Sequence, residues 1–254
     1  MLTLGDVVSA LGVEHGDLTQ PIHETVVDSR EVSPGAMFIA LPGETSDGHD
    51  YVADAFQRGA AVAVIQQPLG EDLHVLDLRA KRPPVEAYEA APPVALLVQD
   101  SLQALQTIAG YWRRQLDVRV IGITGSVGKS TTKELAADVL GQRFKTLKNP
   151  GNLNNEIGLP LTLLKLGAGH QRAVLEMGFY VPGEISLLCD LSLPHVGVVT
   201  NVSQVHMSRA GSMDAIVKGK SELVENLPPS PVGTAILNYD EPLVKEMANR
   251  TQAD

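Results

Sequence analysis

The run Val118 to Leu135, VRVIGITGSVGKSTTKEL, constrains this chain more than any other stretch. Val118, Val120, Ile121 and Ile123 form a short β-branched apolar segment of the kind that makes a buried parallel strand, and Lys133, Glu134 and Leu135 read as the opening of a helix. Between them lies a phosphate cradle. Gly125 and Gly128 let the backbone turn with its N–H groups inward, Lys129 brings a cation to β/γ-phosphates, and Ser130 offers a hydroxyl to Mg2+ at a helix N-terminus. Ile123 stands where the general nucleotide-loop pattern has its first glycine, and a bare G-x-x-G-K-S also fits an ordinary turn. The strand before it and the helix after it favour the cradle.

That cradle must hold its anion by local chemistry. Against 30 Asp and Glu stand only 20 Lys and Arg, a net charge of -10, which argues against a broad nucleic-acid surface. With 254 residues the chain suits one large domain or two small ones, and 44% hydrophobic residues are enough for a real core. The N-terminus MLTLGDVVSALGVEHG lacks the basic start and apolar run of a signal peptide, and no stretch reaches the roughly 18 apolar residues of a membrane span. Cys189, the single cysteine, sits at apolar helical spacing in EISLLCDLSL and reads as a buried thiol. A reducing cytoplasm fits these features.

Residues 1 to about 98 read as an α/β unit without a phosphate loop. Leu4, Val7, Val8 and Leu11 share one helical face that Gly12 would end. A strand (Ala36 to Leu41), a polar loop (Pro42 to Asp50), a helix (Tyr51 to Arg58) and a second strand (Ala61 to Ile65) follow. Asp28, Ser29, Arg30 and His49 gather at strand ends and in that loop. Ligand contacts collect in such places, and so do turn-closing and capping residues. The proline-rich Lys81 to Pro93 reads as an exposed loop or linker with a boundary near residue 98. Leu102, Leu105, Ile108, Ala109 and Trp112 then make one packed helical face.

Beyond the cradle, Asn152, Asn154, Asn155 and Glu156 lie between Gly and Pro, in a loop or at a helix start. The strand AVLEM, 173–177, has the carboxylate Glu176 near its end, and VGVVTNV, 196–202, ends at Asn201 with His206 after it. Ligands bind at the carboxyl ends of parallel strands, so Glu176 and His206 are placed to approach metal and phosphates near Ser130. SMDAIVKGKSELVENL reads as an amphipathic helix with Lys218, Lys220 and Glu222 on its solvated face, and TAILNYDE as a further strand.

In order along the chain, DSREVSPGAMFIALPGETSDGHDYVADAFQRGA, TGSVGKSTTKE, GNLNNEIGLPLTLL, EMGFYVPGEISLL, PHVGVVTNVSQVHM and KGKSELVENL resemble the Mur ligases of peptidoglycan synthesis, across nearly the whole sequence. The GNLNNEIGLPL and EMG…PGEI segments favour the MurF type over the MurE type, which shares the first block. The fold this implies is α/β: a small N-terminal α/β substrate domain, 1–98, that holds UDP-muramoyl peptide, then a P-loop, mostly parallel-sheet ATPase domain, 99–254. The resemblance implies ATP and Mg2+ as cofactors, and UDP-N-acetylmuramoyl-tripeptide and D-alanyl-D-alanine as substrates joined through an acyl phosphate.

By the same resemblance Thr124, Gly125, Ser126, Val127, Gly128, Lys129, Ser130, Thr131 and Asn155 bind ATP. Ser130 holds one magnesium ion, Glu176 and His206 hold a second, and Lys220, turned by CO2 into an anionic carbamate, is a further magnesium ligand. Lys129, Glu176, His206 and Lys220 are the catalytic set, and Ser29, Arg30, Gly48 and His49 hold the UDP end. Family members continue into a C-terminal domain, whereas this sequence stops at Asp254. The resemblance therefore implies a truncated product, a fragment, a binding module that does not ligate, or half of a split ligase completed by a separate chain. It also implies an unpaired edge on the central sheet.

Overall fold

A computed structural model describes residues 1–43, 46–70, 72–80, 85–86, 89–204 and 211–254. The chain divides into two compact units, Met1–Gln115 and Leu116–Asp254. Each carries its own sheet of five strands, and every pairing in both sheets is parallel.

The first unit opens with α1 (Leu4–Ala10), started by a capping box in which the Thr3 hydroxyl accepts from the Asp6 N–H and the Asp6 carboxylate from the Thr3 N–H. Its sheet is built from β1 (Thr25–Val26), β2 (Met37–Ile39), β3 (Val62–Ile65), β4 (Val75–Asp77) and β5 (Val94–Leu97), in the order β1-β2-β3-β5-β4. The inner strands β2, β3 and β5 are buried at every residue, which is why they read as unbroken apolar runs without alternation. A 3-10 turn, Gly48–Tyr51, leads into α2 (Val52–Gln57), and Asp100 caps α3 (Ser101–Arg114).

The sequence places the boundary near 98, ahead of the helix that carries Trp112. The compact units divide after that helix, because α3 packs on α1, β2 and β3. The proline-rich stretch 81–93 falls inside the first unit, between β4 and β5. Residues 81–84 and 87–88 of it lie outside the described residues, while Val85 is buried and bridged to His15.

The second unit's sheet runs β10-β9-β6-β8-β7, from β6 (Arg119–Thr124), β7 (Thr146–Lys148), β8 (Arg172–Glu176), β9 (Val196–Val199) and β10 (Thr234–Leu237). Its helices are α4 (Lys129–Gly141), α5 (Gly158–Leu163), α6 (Glu184–Ser192), α7 (Met213–Glu225) and α8 (Pro242–Lys245). β6 lies between β8 and β9, so the connections leave it toward opposite sides of the sheet. This opens a crevice at the carboxyl ends, where ligands of open parallel sheets bind. Ile123, Ala137 and Val174 pack α4 onto that centre.

β10 is an edge strand with Ile236 half-exposed, and Asp254 pairs beside it through Ala235 N–H to Asp254 O at 2.7 Å and Asp254 N–H to Gly233 O at 3.1 Å. Among the described residues, no helix is long and apolar enough to cross a membrane. Cys189 is buried on α6, and desolvation pushes its thiol far above the ordinary range.

Candidate functional site

The loop after β6 is shaped by two glycines. Gly125 has φ +146°, and a Cβ there would stand 1.9 Å from the Thr200 hydroxyl; Gly128, at φ +87°, caps α4. Residues just past β9 pin the loop. Asn201 receives the Ser126 N–H on its carbonyl at 3.0 Å and the Val127 N–H on its side-chain oxygen at 2.9 Å, while the Thr200 hydroxyl donates to Val127 O at 2.7 Å. Thr124, buried at the end of β6, donates to Met177 O at 3.1 Å.

α4 begins at Lys129, four residues before the start read from sequence, because Gly128 supplies the turn directly. Lys129, Ser130 and Thr131 thus occupy its first turn, and no side chain caps that N-terminus. Uncapped N–H groups and the positive end of the helix dipole favour an anion there.

Glu176, at the end of β8 and only 3% exposed, reaches this turn. Ser130 Oγ donates to Glu176 Oε2 at 2.7 Å, and Asn154 Nδ2 donates to Glu176 Oε1 at 2.8 Å. A hydroxyl and a carboxylate side by side are hard oxygen donors, the kind Mg2+ prefers. Among the described residues no group of three or more His, Cys, Asp or Glu gathers as a metal cluster. His206 lies outside the described residues.

A cavity of about 220 Å3 adjoins this pair, lined among others by Lys129, Asn154, Asn155, Phe179, Glu184 and Lys220. Lys220, expected on a solvated helical face, is 2% exposed, and Glu222 is 6% exposed; Lys218 alone of that set faces solvent. The reason is the packing of α7 against α6, β9 and β6. Glu222 accepts the Gly183 N–H at 2.6 Å and the Ser186 N–H at 3.0 Å, so a carboxylate on α7 satisfies the first turn of α6. Burial, and after it the charge of Lys129, push the Lys220 ammonium down to about 7. Its Nζ stands 5.1 Å from the centroid of the Phe179 ring. That ring packs where a side chain on Gly219 would otherwise be, since a Cβ there would lie 1.8 Å from it. Asn155 lines the cavity while its side-chain oxygen caps α5, accepting the Gly158 N–H at 2.8 Å.

In the first unit, Ser29, Arg30 and Gly48 line one groove with Asp28, Phe38 and Tyr51. The Ser29 hydroxyl is engaged with Asp54. Arg30 grips Asp28 through two nitrogens, Nε to Oδ1 at 2.9 Å and the terminal nitrogen to Oδ2 at 2.6 Å, which holds the Asp28 carboxyl at about 2. His49 does not line that groove. Its Nε2 accepts the Gln66 N–H at 2.9 Å and its Nδ1 faces Asp47 at 2.6 Å, so the ring is a buried brace across the loop.

Sequence reasoning missed Asn149 and Lys133, and it placed Asn154 in the loop without a role. For Asn154 the visible signal was the run of amides between Gly151 and Pro160, in which nothing says which turns inward; Asn149 and Lys133 gave no signal of their own.

Comparison with known proteins places these features in a family. The Mur ligase middle domain matches residues 123–254, and the domain described as Mur ligase family, catalytic domain, matches residues 21–113. A UDP-N-acetylmuramoyl-tripeptide–D-alanyl-D-alanine ligase from Synechocystis sp. is 40% identical over 232 residues, covering 90% of this chain and 46% of the relative. The crystal structure of MurF from Acinetobacter baumannii superposes with a TM-score of 0.80 at 32% identity, over 99% of this chain and 52% of that one. MurF ligase from Thermotoga maritima in complex with ADP gives 0.74 at 30% identity, over 91% and 49%. The chain spans about half the length of the relatives it matches.

Proposed function

The chain belongs to the Mur ligase family, and from that premise we propose that it carries the nucleotide-handling machinery of a MurF-type, ATP-dependent amide ligase of the cytoplasm. The reaction joins D-alanyl-D-alanine to UDP-N-acetylmuramoyl-tripeptide. The tripeptide's terminal carboxylate attacks the γ-phosphorus of ATP and releases ADP; the dipeptide amine then attacks the acyl phosphate, releasing inorganic phosphate and a proton. The observation that carries this reading is the uncapped first turn of α4 with Ser130 bonded to Glu176 and two lysines, Lys129 and Lys220, facing one cavity.

The loop N–H groups and Lys129 orient the β- and γ-phosphates, because phosphoryl transfer asks for positioning and charge neutralisation more than for covalent chemistry. Ser130 and Glu176 would hold Mg2+, with His206 and a carbamate on Lys220 as further ligands. When bound, the metal would neutralise the phosphate charge. An amine held down to about 7 and aimed into a cavity is nucleophilic at neutral pH, as carbamate formation requires. The groove at Ser29, Arg30 and Gly48 takes the UDP end, with His49 shaping its loop.

Nucleotide affinity and turnover test this. Lys129→Ala is expected to weaken Mg-ATP binding about a hundredfold or more; unchanged binding would overturn the reading. Phosphate release from ATP that requires both UDP-muramoyl tripeptide and D-alanyl-D-alanine would assign complete ligation to these 254 residues. The chain spans about half the length of its relatives, and the second reading is a nucleotide- and UDP-muramoyl-peptide-binding module that does not ligate by itself. Saturable nucleotide binding without phosphate release would select it.

A further inference from the structure

Lys133 is 1% exposed, and a lysine buried this deeply is uncommon without a specific partner. Its ammonium donates to Asn149 O at 2.8 Å and Gly151 O at 3.2 Å, and lies 3.1 Å from Glu134 Oε1. Three donors meet three acceptors, none of them in the cavity.

What this lysine holds explains its place. β7 ends at Lys148, paired with β8 at Val174, so the parallel ladder stops two residues short of Glu176. Asn149, fully buried, continues it with a side chain. Its Oδ1 accepts the Glu176 N–H at 2.9 Å and its Nδ2 donates to Glu176 O at 3.1 Å, a side-chain amide standing in for the missing peptide. Nδ2 also donates to Leu153 O at 2.8 Å, which folds the loop so that Asn154 meets the Glu176 carboxylate.

These contacts close a ring. Ser130 bonds Glu176, Glu176 is held by Asn149, Asn149 is held by Lys133, and Lys133 returns along one turn of α4 to Ser130. A helix turn is rigid, so the ring sets the separation of the two oxygen donors at the head of the crevice. We propose that Lys133 and Asn149 are positioning residues that fix Glu176 and Asn154 against Ser130, and thereby set the grip of this site on a magnesium-bound nucleotide. The inference rests on the nucleotide reading above and adds two residues that touch neither nucleotide nor metal.

The test is ADP affinity measured by calorimetry in Mg2+ and in EDTA, with amide hydrogen exchange of residues 149–156 in the ligand-free chain. Lys133→Met is expected to lose about tenfold in the magnesium-dependent part of the affinity, the scale of an outer-shell defect. Its metal-free affinity should stay within about twofold of wild type, and exchange in the loop should speed up. Lys133→Arg should restore part of the magnesium effect. Asn149→Ala keeps the lysine and its carbonyl acceptors, should show the same selective loss, and decides the matter if Lys133→Met does not fold. A folded variant with wild-type magnesium dependence, or with equal losses in Mg2+ and EDTA, overturns the proposal. If the wild-type chain binds no nucleotide the functional reading falls, and the ring is then judged by hydrogen exchange alone, where unchanged protection in both variants sinks it.

Discussion

The crevice of the second unit and the groove of the first are lined by similar kinds of residue arranged in opposite ways. At the crevice, Lys129, with only a long 3.5 Å contact to the Ser126 carbonyl, and Lys220 line the cavity, and the first turn of α4 has no side-chain cap. In the groove the polar groups answer one another: Arg30 is gripped by Asp28, Ser29 by Asp54, and the His49 ring is consumed by Asp47 and Gln66. Polar groups without internal partners are held ready for a ligand at a cost in stability, while groups that satisfy one another contribute to the fold. A residue type at a strand end therefore does not reveal which of the two it is.

Mutations at the two places should separate along that line. Gly219→Ala is the strongest probe on the crevice side, because its Cβ would stand 1.8 Å from the Phe179 ring and must displace it from the cavity wall. Overpacking of this kind costs roughly 1–3 kcal/mol, measurable by urea denaturation, and nucleotide affinity should fall with it. Unchanged affinity would detach Phe179 from the site. His49→Ala on the groove side strands the Gln66 N–H, while Asp47 keeps the backbone N–H of residue 49 and the Gln67 amide; it should cost about 1–2 kcal/mol while leaving nucleotide affinity unaltered. A stability-neutral His49→Ala that weakens binding of a uridine nucleotide would reverse the contrast and return His49 to a contact role.

A further probe of the crevice is a pH dependence. Lys220 is held down from 10.5 to about 7 in the folded chain. Between those values the unfolded chain carries a proton that the folded chain lacks, so folding stability should rise with pH across the window. Lys220→Met, compared in bicarbonate-free buffer, should remove that rise. Parallel stability curves for the two proteins from pH 7 to 10.5 would break the account of Lys220 as an amine held down by burial.

Much of the architecture was legible. The strands β2, β3, β6, β8 and β9 announce themselves as short apolar runs, and the turn before α4 is specified by glycines at fixed spacing, because the positive φ at Gly125 and Gly128 is a local demand. Short or edge strands such as β1, β4 and β7 were not legible, since two or three residues carry no period and owe their form to the neighbour they pair with. Lys220 and Glu222 were misread for a related reason: helical periodicity sorts residues by polarity, and it cannot register a carboxylate that caps the adjacent helix or an amine that lines a cavity.

The sequence by itself determined the glycine-shaped turn between β6 and α4, the parallel α/β class and the family, since each depends on local backbone geometry or on the order of motifs along the chain. Only the tertiary structure decided that Glu176 is clasped by Ser130 and Asn154, that Asn149 and Lys133 hold it from behind, and that His49 is a brace. Those outcomes depend on which groups from distant segments meet in a low-dielectric interior, where every buried donor must find its acceptor.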